Sequence, residues 1–407
     1  MNQLLLDPFI IAKEYPETLV QTLSFGHSTC LKFNEYGDYL ASGTSDGIIA
    51  IIDLDTNGII KLLRSHTRPI NSLSWSHDGR YLLSCARDWQ AIVWDLSTGN
   101  AVQKCEFQRP LWNAEFNPVN CHEIVVTPLE EDPMLIRFGS DWSREETWSL
   151  PGLEDDEQKH FTLVSTFHPG GEYVFTGTSK GWINVISAKS LAKVHSEKLT
   201  SSNVKNLAFN TSGTKLAVNS SDRIIRQIAL SSKKGPENEQ EFEFEIDHRY
   251  QDVVNKLQWN SLGFNHSGEY LVASTWGSAH DVYMWETTMG SLIKILEGPK
   301  EELIDVAWNF RKCTIGATGM DTGTIYLWGT NIPQKWSALA PDFVEIEENI
   351  EYEEKEDEFD VVEEDMVIEE DENEVVDVAT KETLDSRGFP LQRLFTIPLS
   401  LEDEDAF

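Results

Sequence analysis

Short apolar runs broken by polar turns fill the chain as far as residue 330, and they recur. In the clearest copy, Ser65-His66 leads through Trp75-Ser-His-Asp-Gly79 and Tyr81-Leu-Leu-Ser84 to Asp88, then to Ile92-Val-Trp94-Asp95. The stretch before it repeats the outline as Gly26-His27, Phe33-Asn-Glu-Tyr-Gly37, Tyr39-Leu-Ala-Ser42, Asp46 and Ile52-Asp53. Aligning the Trp, or the apolar residue in its place, gives Ile52, Trp94, Ile136, Ile186, Ile228, Trp285 and Trp328; four of the six gaps are 41 to 43 residues. Each unit reads as four short strands rich in β-branched and aromatic residues, punctuated by Gly, Asp, Asn and Ser. One such sheet has two apolar faces and cannot bury both alone. Several packed in a ring cover each other's faces.

The period and the Trp94-Asp95 ending resemble the WD40 family over residues 1–330. The predicted fold class is therefore all-β: a seven-bladed WD40 β-propeller closed by an N-terminal strand and followed by an acidic extended C-terminal tail. The seventh copy stops one strand early, because Asn331-Ile-Pro333 is poor strand sequence. Leu19 through Phe25 is strand-like and has no blade of its own. The residues 18–25 are expected to supply the missing strand beside Ile325–Trp328 and remove a free edge.

Charge changes the picture only at the far end. The chain carries 33 basic and 68 acidic residues, a net of −35. Residues 341–407 hold 26 of those acids and 4 of the bases, so a net of −22 sits in one-sixth of the length. Such an excess disfavours nucleic acid as the primary ligand, although a local basic patch on one blade remains compatible with it. No apolar run is long enough for a membrane helix, and the start lacks the pattern of a signal peptide. Cys30, Cys85, Cys105, Cys121 and Cys313 are odd in number and lack a Cys-x-x-Cys pair, as in a reduced intracellular protein. The expectation is a soluble intracellular protein with no cofactor or metal.

The tail is more than a solvated charge run. Trp336, Phe343, Ile346, Ile350, Tyr352 and Phe359 interleave with the acids, and Val375–Val378 and Leu394–Ile397 are compact apolar patches. Spaced anchors in a disordered acidic chain suit a string of docking peptides, with charge steering the encounter and anchors filling pockets. The expected domains are the propeller, 1–330, and a partner-binding tail, 331–407.

The string from Lys335 to Asp360 resembles the segment that follows the propeller in one WD40 family. It is the family of Swd1 in yeast and retinoblastoma-binding protein five in animals, subunits of COMPASS-type histone H3 lysine-4 methyltransferase complexes. Asp222-Arg-Ile-Ile-Arg226, the stretch 290–298 and Leu303-Ile-Asp-Val-Ala-Trp308 support the same likeness. The resemblance implies a non-catalytic nuclear scaffold that bridges and activates the SET catalytic subunit, a SPRY subunit of the Ash-two (Bre2) type and a second WD40 subunit of the Swd3 type, meeting the nucleosome through the complex. It places Trp336, Ala338, Pro341, Asp342 and Phe343 against the SET subunit. Within the segment 335–360 it gives Glu347, Glu348, Tyr352, Glu353, Glu354, Phe359 and Asp360 to the SPRY subunit. Glu374, Val376, Asp377 and Val378, in the motif 374–378, would dock the second WD40 protein.

Two other readings fit parts of the chain. His66, Ser84 and Asp88 are the residue types of a hydrolase triad. Their spacing is that of the WD40 structural tetrad completed by Trp94, and His27, Ser42 and Asp46 repeat it one blade earlier, which a triad has no reason to do. A generic WD40 adaptor or substrate receptor is the alternative function; it explains the ring but not the ordered tail. Trp182 and Trp276, near turns, read as packed or rim aromatics. Stretches 150–160 and 231–245 read as insertions between blades three and four and between blades five and six.

Overall fold

The computed structural model describes residues 15–151, 161–234, 240–252, 256–277, 281–309, 311–330 and 395–398. Within these, seven four-stranded antiparallel sheets follow one another as blades spanning 28–64, 70–106, 111–149, 162–198, 204–250, 258–296 and 303–329. The aligned Ile52, Trp94, Ile136, Ile186, Ile228, Trp285 and Trp328 all fall on the third strand of their blades, and all are buried. The repeat is thus a record of packing, since each of these side chains fills the apolar layer between its blade and the preceding one.

Blade seven takes its outer strand from the start of the chain. Thr18–Leu23 pairs antiparallel with Ile325–Gly329, Leu23 opposite Ile325 and Leu19 opposite Trp328. The seven-bladed, N-terminally closed ring expected from the sequence is the one observed. The strand ends at Leu23, two residues short of the predicted Phe25, which instead joins the apolar cluster between blades seven and one.

The first strands of neighbouring blades lie side by side, and side chains on them stitch the ring from within. Thr29 Oγ1 donates to the Ile70 carbonyl at 2.7 Å, Asn71 Nδ2 to Leu111 at 2.6 Å, and Asn113 Nδ2 to Ser165 at 2.9 Å. Asn260 Nδ2 donates to Leu303 at 2.9 Å. Across the closure, the Leu31 amide donates to Asp305 Oδ2 at 3.1 Å. Burial pushes the carboxyl of Asp305 up, while this amide, Ser261 and Val306 oppose the shift by holding the charged form.

One expectation is corrected here. The described residues 231–234 and 240–245 do not lengthen the connection between blades five and six. They belong to two paired strands inside blade five, Ile225–Lys234 and Gln240–Tyr250. The run Glu241-Phe-Glu-Phe-Glu245 alternates with period two, which turns Phe242 and Phe244 toward Phe175 and leaves Glu243 and Glu245 in water. Alternation was the strand signal, and reading its acids as a loop missed it. Residues 152–160 of the other insertion lie outside the described residues.

Candidate binding surfaces of the propeller

His66, on the turn into blade two, and Ser84, Asp88 and Trp94 on the blade itself form one hydrogen-bonded chain. His66 Nδ1 is 2.9 Å from Asp88 Oδ2 and Nε2 is 2.8 Å from Ser84 Oγ, while Trp94 Nε1 donates to Ser84 Oγ at 2.9 Å. The order matches a hydrolase triad, but the setting does not. Ser84 is 0% exposed, the His66 side chain is 0% exposed, and the indole covers the oxygen that would attack. Burial holds the His66 imidazole below its ordinary value against the opposing pull of Asp88, so the ring is neutral near pH 7. Its Nδ1 proton goes to Asp88, which leaves Nε2 to accept the Ser84 hydroxyl proton. Every partner is satisfied internally, and no substrate can reach the serine.

Blade one does not repeat this arrangement. Ser42 pairs with the Ser28 hydroxyl at 2.8 Å, and buried His27 Nδ1 has no hydrogen-bond partner. Ile52 stands where Trp94 does, so the indole donor that fixes the serine is missing. Blade five reaches satisfaction by other residues. Thr200 donates to Asp222 at 3.0 Å, and the buried Arg226 guanidinium donates to Asp222 at 2.5 Å and to Ser220 at 2.8 Å. In blade seven the Glu301 carboxylate accepts the amides of Asp321 and Thr322 and the hydroxyls of Thr322 and Tyr326.

The two rims of the ring differ. Turns between second and third strands lie on the same rim as the turns that enter each blade. That rim carries the exposed large apolar side chains Trp89, Trp112, Leu129, Trp276 and Met320. The Lys205 ammonium sits 5.6 Å from the Trp276 ring centre. Trp276 is 51% exposed, so it is a rim aromatic, whereas Trp182 is half-buried. Trp89 and Arg223 were missed in the sequence. Each holds a positive φ, 69° and 72°, at the turn position where blades one and four have Gly47 and Gly181. A side chain there costs about 1 kcal/mol of backbone strain relative to glycine. Aligning the turns of the repeats would have found both. Arg87 and Arg109 are exposed beside Trp89 and Trp112 in sequence, and Arg109 pairs with Glu130 and Glu131 on the same rim.

Residues 336–360 and 374–378, which hold Trp336, Ala338, Pro341, Asp342, Phe343, Glu347, Glu348, Tyr352, Glu353, Glu354, Phe359, Asp360, Glu374, Val376, Asp377 and Val378, lie outside the described residues. Among the described residues, no three His, Cys, Asp or Glu side chains gather as a metal site, and no helix is long and apolar enough to cross a membrane.

The WD domain, G-beta repeat family matches residues 17–53 and 58–95. The chain is 43% identical to the Schizosaccharomyces pombe Set1 complex component swd1, over 91% of this chain and 93% of that protein. The chain belongs to the Swd1 and retinoblastoma-binding protein 5 family. It is also 43% identical to the Saccharomyces cerevisiae COMPASS component SWD1, over 98% of this chain and 97% of that protein. Identity to the Drosophila melanogaster retinoblastoma-binding protein 5 homolog is 34%, over 100% of this chain and 84% of that protein. The crystal structure of the Myceliophteria thermophila Cps50 (Swd1) beta-propeller domain superposes with a TM-score of 0.72 at 38% identity, covering 76% of this chain and 99% of that one. The family is one of non-catalytic complex components, and the buried His66–Ser84–Asp88 chain agrees with a structural role.

Proposed function

We propose that this protein is a nuclear, non-catalytic scaffold subunit of a COMPASS-type histone H3 lysine-4 methyltransferase complex. One observation carries the reading: likeness to the budding-yeast relative runs over 98% of the chain, whereas the propeller-only structure covers 76%. The likeness therefore continues beyond the ring into the acidic tail. A ring whose one triad-like chain, His66–Ser84–Asp88 with Trp94, is buried and internally satisfied offers surfaces rather than chemistry, and the tail offers anchors in an acidic setting.

In this reading Trp336, Ala338, Pro341, Asp342 and Phe343 lie on the SET subunit and favour its active conformation. The acids Glu347, Glu348, Glu353, Glu354 and Asp360, with Tyr352 and Phe359 as apolar anchors, hold a basic face of the SPRY subunit. Glu374, Val376, Asp377 and Val378 dock the second WD40 protein, and the complex carries the ring to the nucleosome. Tails of this composition order only on their partners, which makes the segments separable.

Reconstitution with the three partners tests the assignment. Phe343→Ala is expected to lower stimulation of methylation more than it lowers assembly. Reversing Glu353 and Glu354 to Lys weakens SPRY binding, most at low salt where the charges are least screened. Polar replacements at Val376 and Val378 release the second WD40 protein alone. Full methylation and assembly by a chain ending at residue 334 would overturn the proposal.

A further inference from the structure

A short described stretch beyond residue 330, Phe395–Pro398, lies on the propeller. Ile397 is 4% exposed and belongs to the apolar cluster between blades one and two, with Leu63, Ile70, Trp94 and Leu96; Phe395 packs against the same cluster beside Ile60 and Ala101. The described stretch 395–398 belongs to the same compact unit as the ring. The patch Leu394–Ile397, which the sequence suggests as an anchor for another protein, is therefore engaged at Phe395 and Ile397 by the chain's own blades.

Trp94 and Ala101 of this cluster also line a neighbouring groove. A cleft of about 470 Å³ runs between the outer strands of blades one and two, lined by Leu62, Arg64, Ser65, Trp94, Ala101 and Lys104. Its walls combine the apolar Leu62, Trp94 and Ala101 with the cationic Arg64 and Lys104. Arg64 and Lys104 are exposed, Lys104 Nζ donates to Ser65 Oγ at 2.6 Å, and among the described residues neither cation forms an ion pair. The sequence that follows Pro398 has the complementary order: Leu399-Ser400-Leu401, then the four acids Glu402, Asp403, Glu404 and Asp405. On the outer strand of blade one Ile60 and Arg64 are four positions apart, as are Pro398 and Glu402 in the tail; four positions correspond to about 13 Å of extended chain.

We propose that this groove is the docking site for the chain's own segment 395–407, with Phe395 and Ile397 in the apolar part and Glu402–Asp405 on Arg64 and Lys104. The chain leaves the ring after blade seven and is held again at blades one and two. Two points of attachment give a segment joined to the ring at both ends a raised effective concentration there. The inference concerns the protein alone and stands whichever partners the tail has.

The test uses the full chain with a specific protease site replacing residues 381–387, cut after folding and followed by gel filtration and mass measurement. The cut fragment is expected to stay with the ring as a single copy at low salt and to dissociate as salt rises. Ile397→Asp releases it, and Ile397→Val retains it. Arg64→Glu with Lys104→Glu weakens retention about tenfold at low salt and removes most of the salt dependence, as expected for two exposed ion pairs. A fragment that elutes free under all conditions overturns the proposal. Unchanged salt dependence in the Arg64→Glu, Lys104→Glu protein overturns the placement of the acids. Retention with a doubled mass shows a second copy's segment in the groove and overturns the self-docking.

Discussion

Residues 18–23 and residues 395–398 both return to the ring from far away in sequence, but they hold it by different means. The first adds a strand, exchanging backbone hydrogen bonds with Ile325–Gly329 and burying Leu23. The second adds side chains alone, with Phe395 and Ile397 lodged in the wall between blades one and two. A strand completes a sheet that would otherwise expose a row of unpaired amides and carbonyls. An apolar peptide on a formed wall leaves the wall intact when it departs. One attachment is part of folding, and the other is a reversible docking equilibrium.

Deleting residues 1–25 gives the largest expected effect. It opens blade seven and should lower stability by on the order of 5 kcal/mol, or about 10 °C in thermal midpoint for a chain of this size. Thermal unfolding followed by circular dichroism measures it, and a drop of under about 2 °C would mean that the ring closes without its outer strand.

Ser84→Ala comes next. It leaves Trp94 Nε1 and His66 Nε2 without their shared partner, at a cost of about 1–3 kcal/mol. Trp94 belongs to the cluster that receives Ile397, so this substitution also tests whether the C-terminal attachment depends on a rigid wall. A well-folded Ser84→Ala protein with specific loss of complex activity would argue for chemistry at the serine.

A smaller effect is expected with pH. The folded-state His66 is held below its ordinary 6.5, so its proton binds better to the unfolded chain. Its contribution to stability is complete above about pH 6.5 and is lost as pH falls through that value toward the folded one. The buried carboxyls Glu115 and Asp305 are shifted up and act in the opposite direction, gaining stability on acidification. Comparing the protein with a His66→Gln variant cancels those carboxyls. The stability gap between the two, from denaturant melts, should be smaller at pH 5.5 than at pH 7.5; a gap independent of pH would place the His66 titration elsewhere.

Ile397→Asp should change global stability least, by less than about 1 kcal/mol, although the side chain it removes is buried. Burial of an isoleucine is worth about 1.5–3 kcal/mol against full exposure. Here the segment can undock instead of forcing a charge into the core, so the loss cannot exceed the docking free energy. A fall in thermal midpoint comparable to that of the 1–25 deletion would erase the distinction between the two attachments.

Much of the ring was legible because its determinants are local and repeated. Ile52, Trp94, Ile136, Ile186, Ile228, Trp285 and Trp328 mark the third strands at nearly constant spacing. The missing strand of blade seven was found by counting. The hairpin at 225–250 was not found, since its acids masked a period-two alternation whose apolar half is visible as Phe242 and Phe244 against Phe175. Sequence spacing also suggested a second tetrad at His27, Ser42 and Asp46. Ser42 instead pairs with the Ser28 hydroxyl, and no indole stands at Ile52 to complete the set.

By itself the sequence determined the number of blades, the strand that closes them and the uneven charge, because each follows from residue order and the need of every strand to pair and bury one face. Tertiary structure alone decided which polar residues meet inside each blade, that Trp89 and Arg223 occupy strained exposed turns, and that Phe395 and Ile397 lie between blades one and two. Those outcomes depend on distances between residues tens to hundreds of positions apart, and these exist only once the ring has closed.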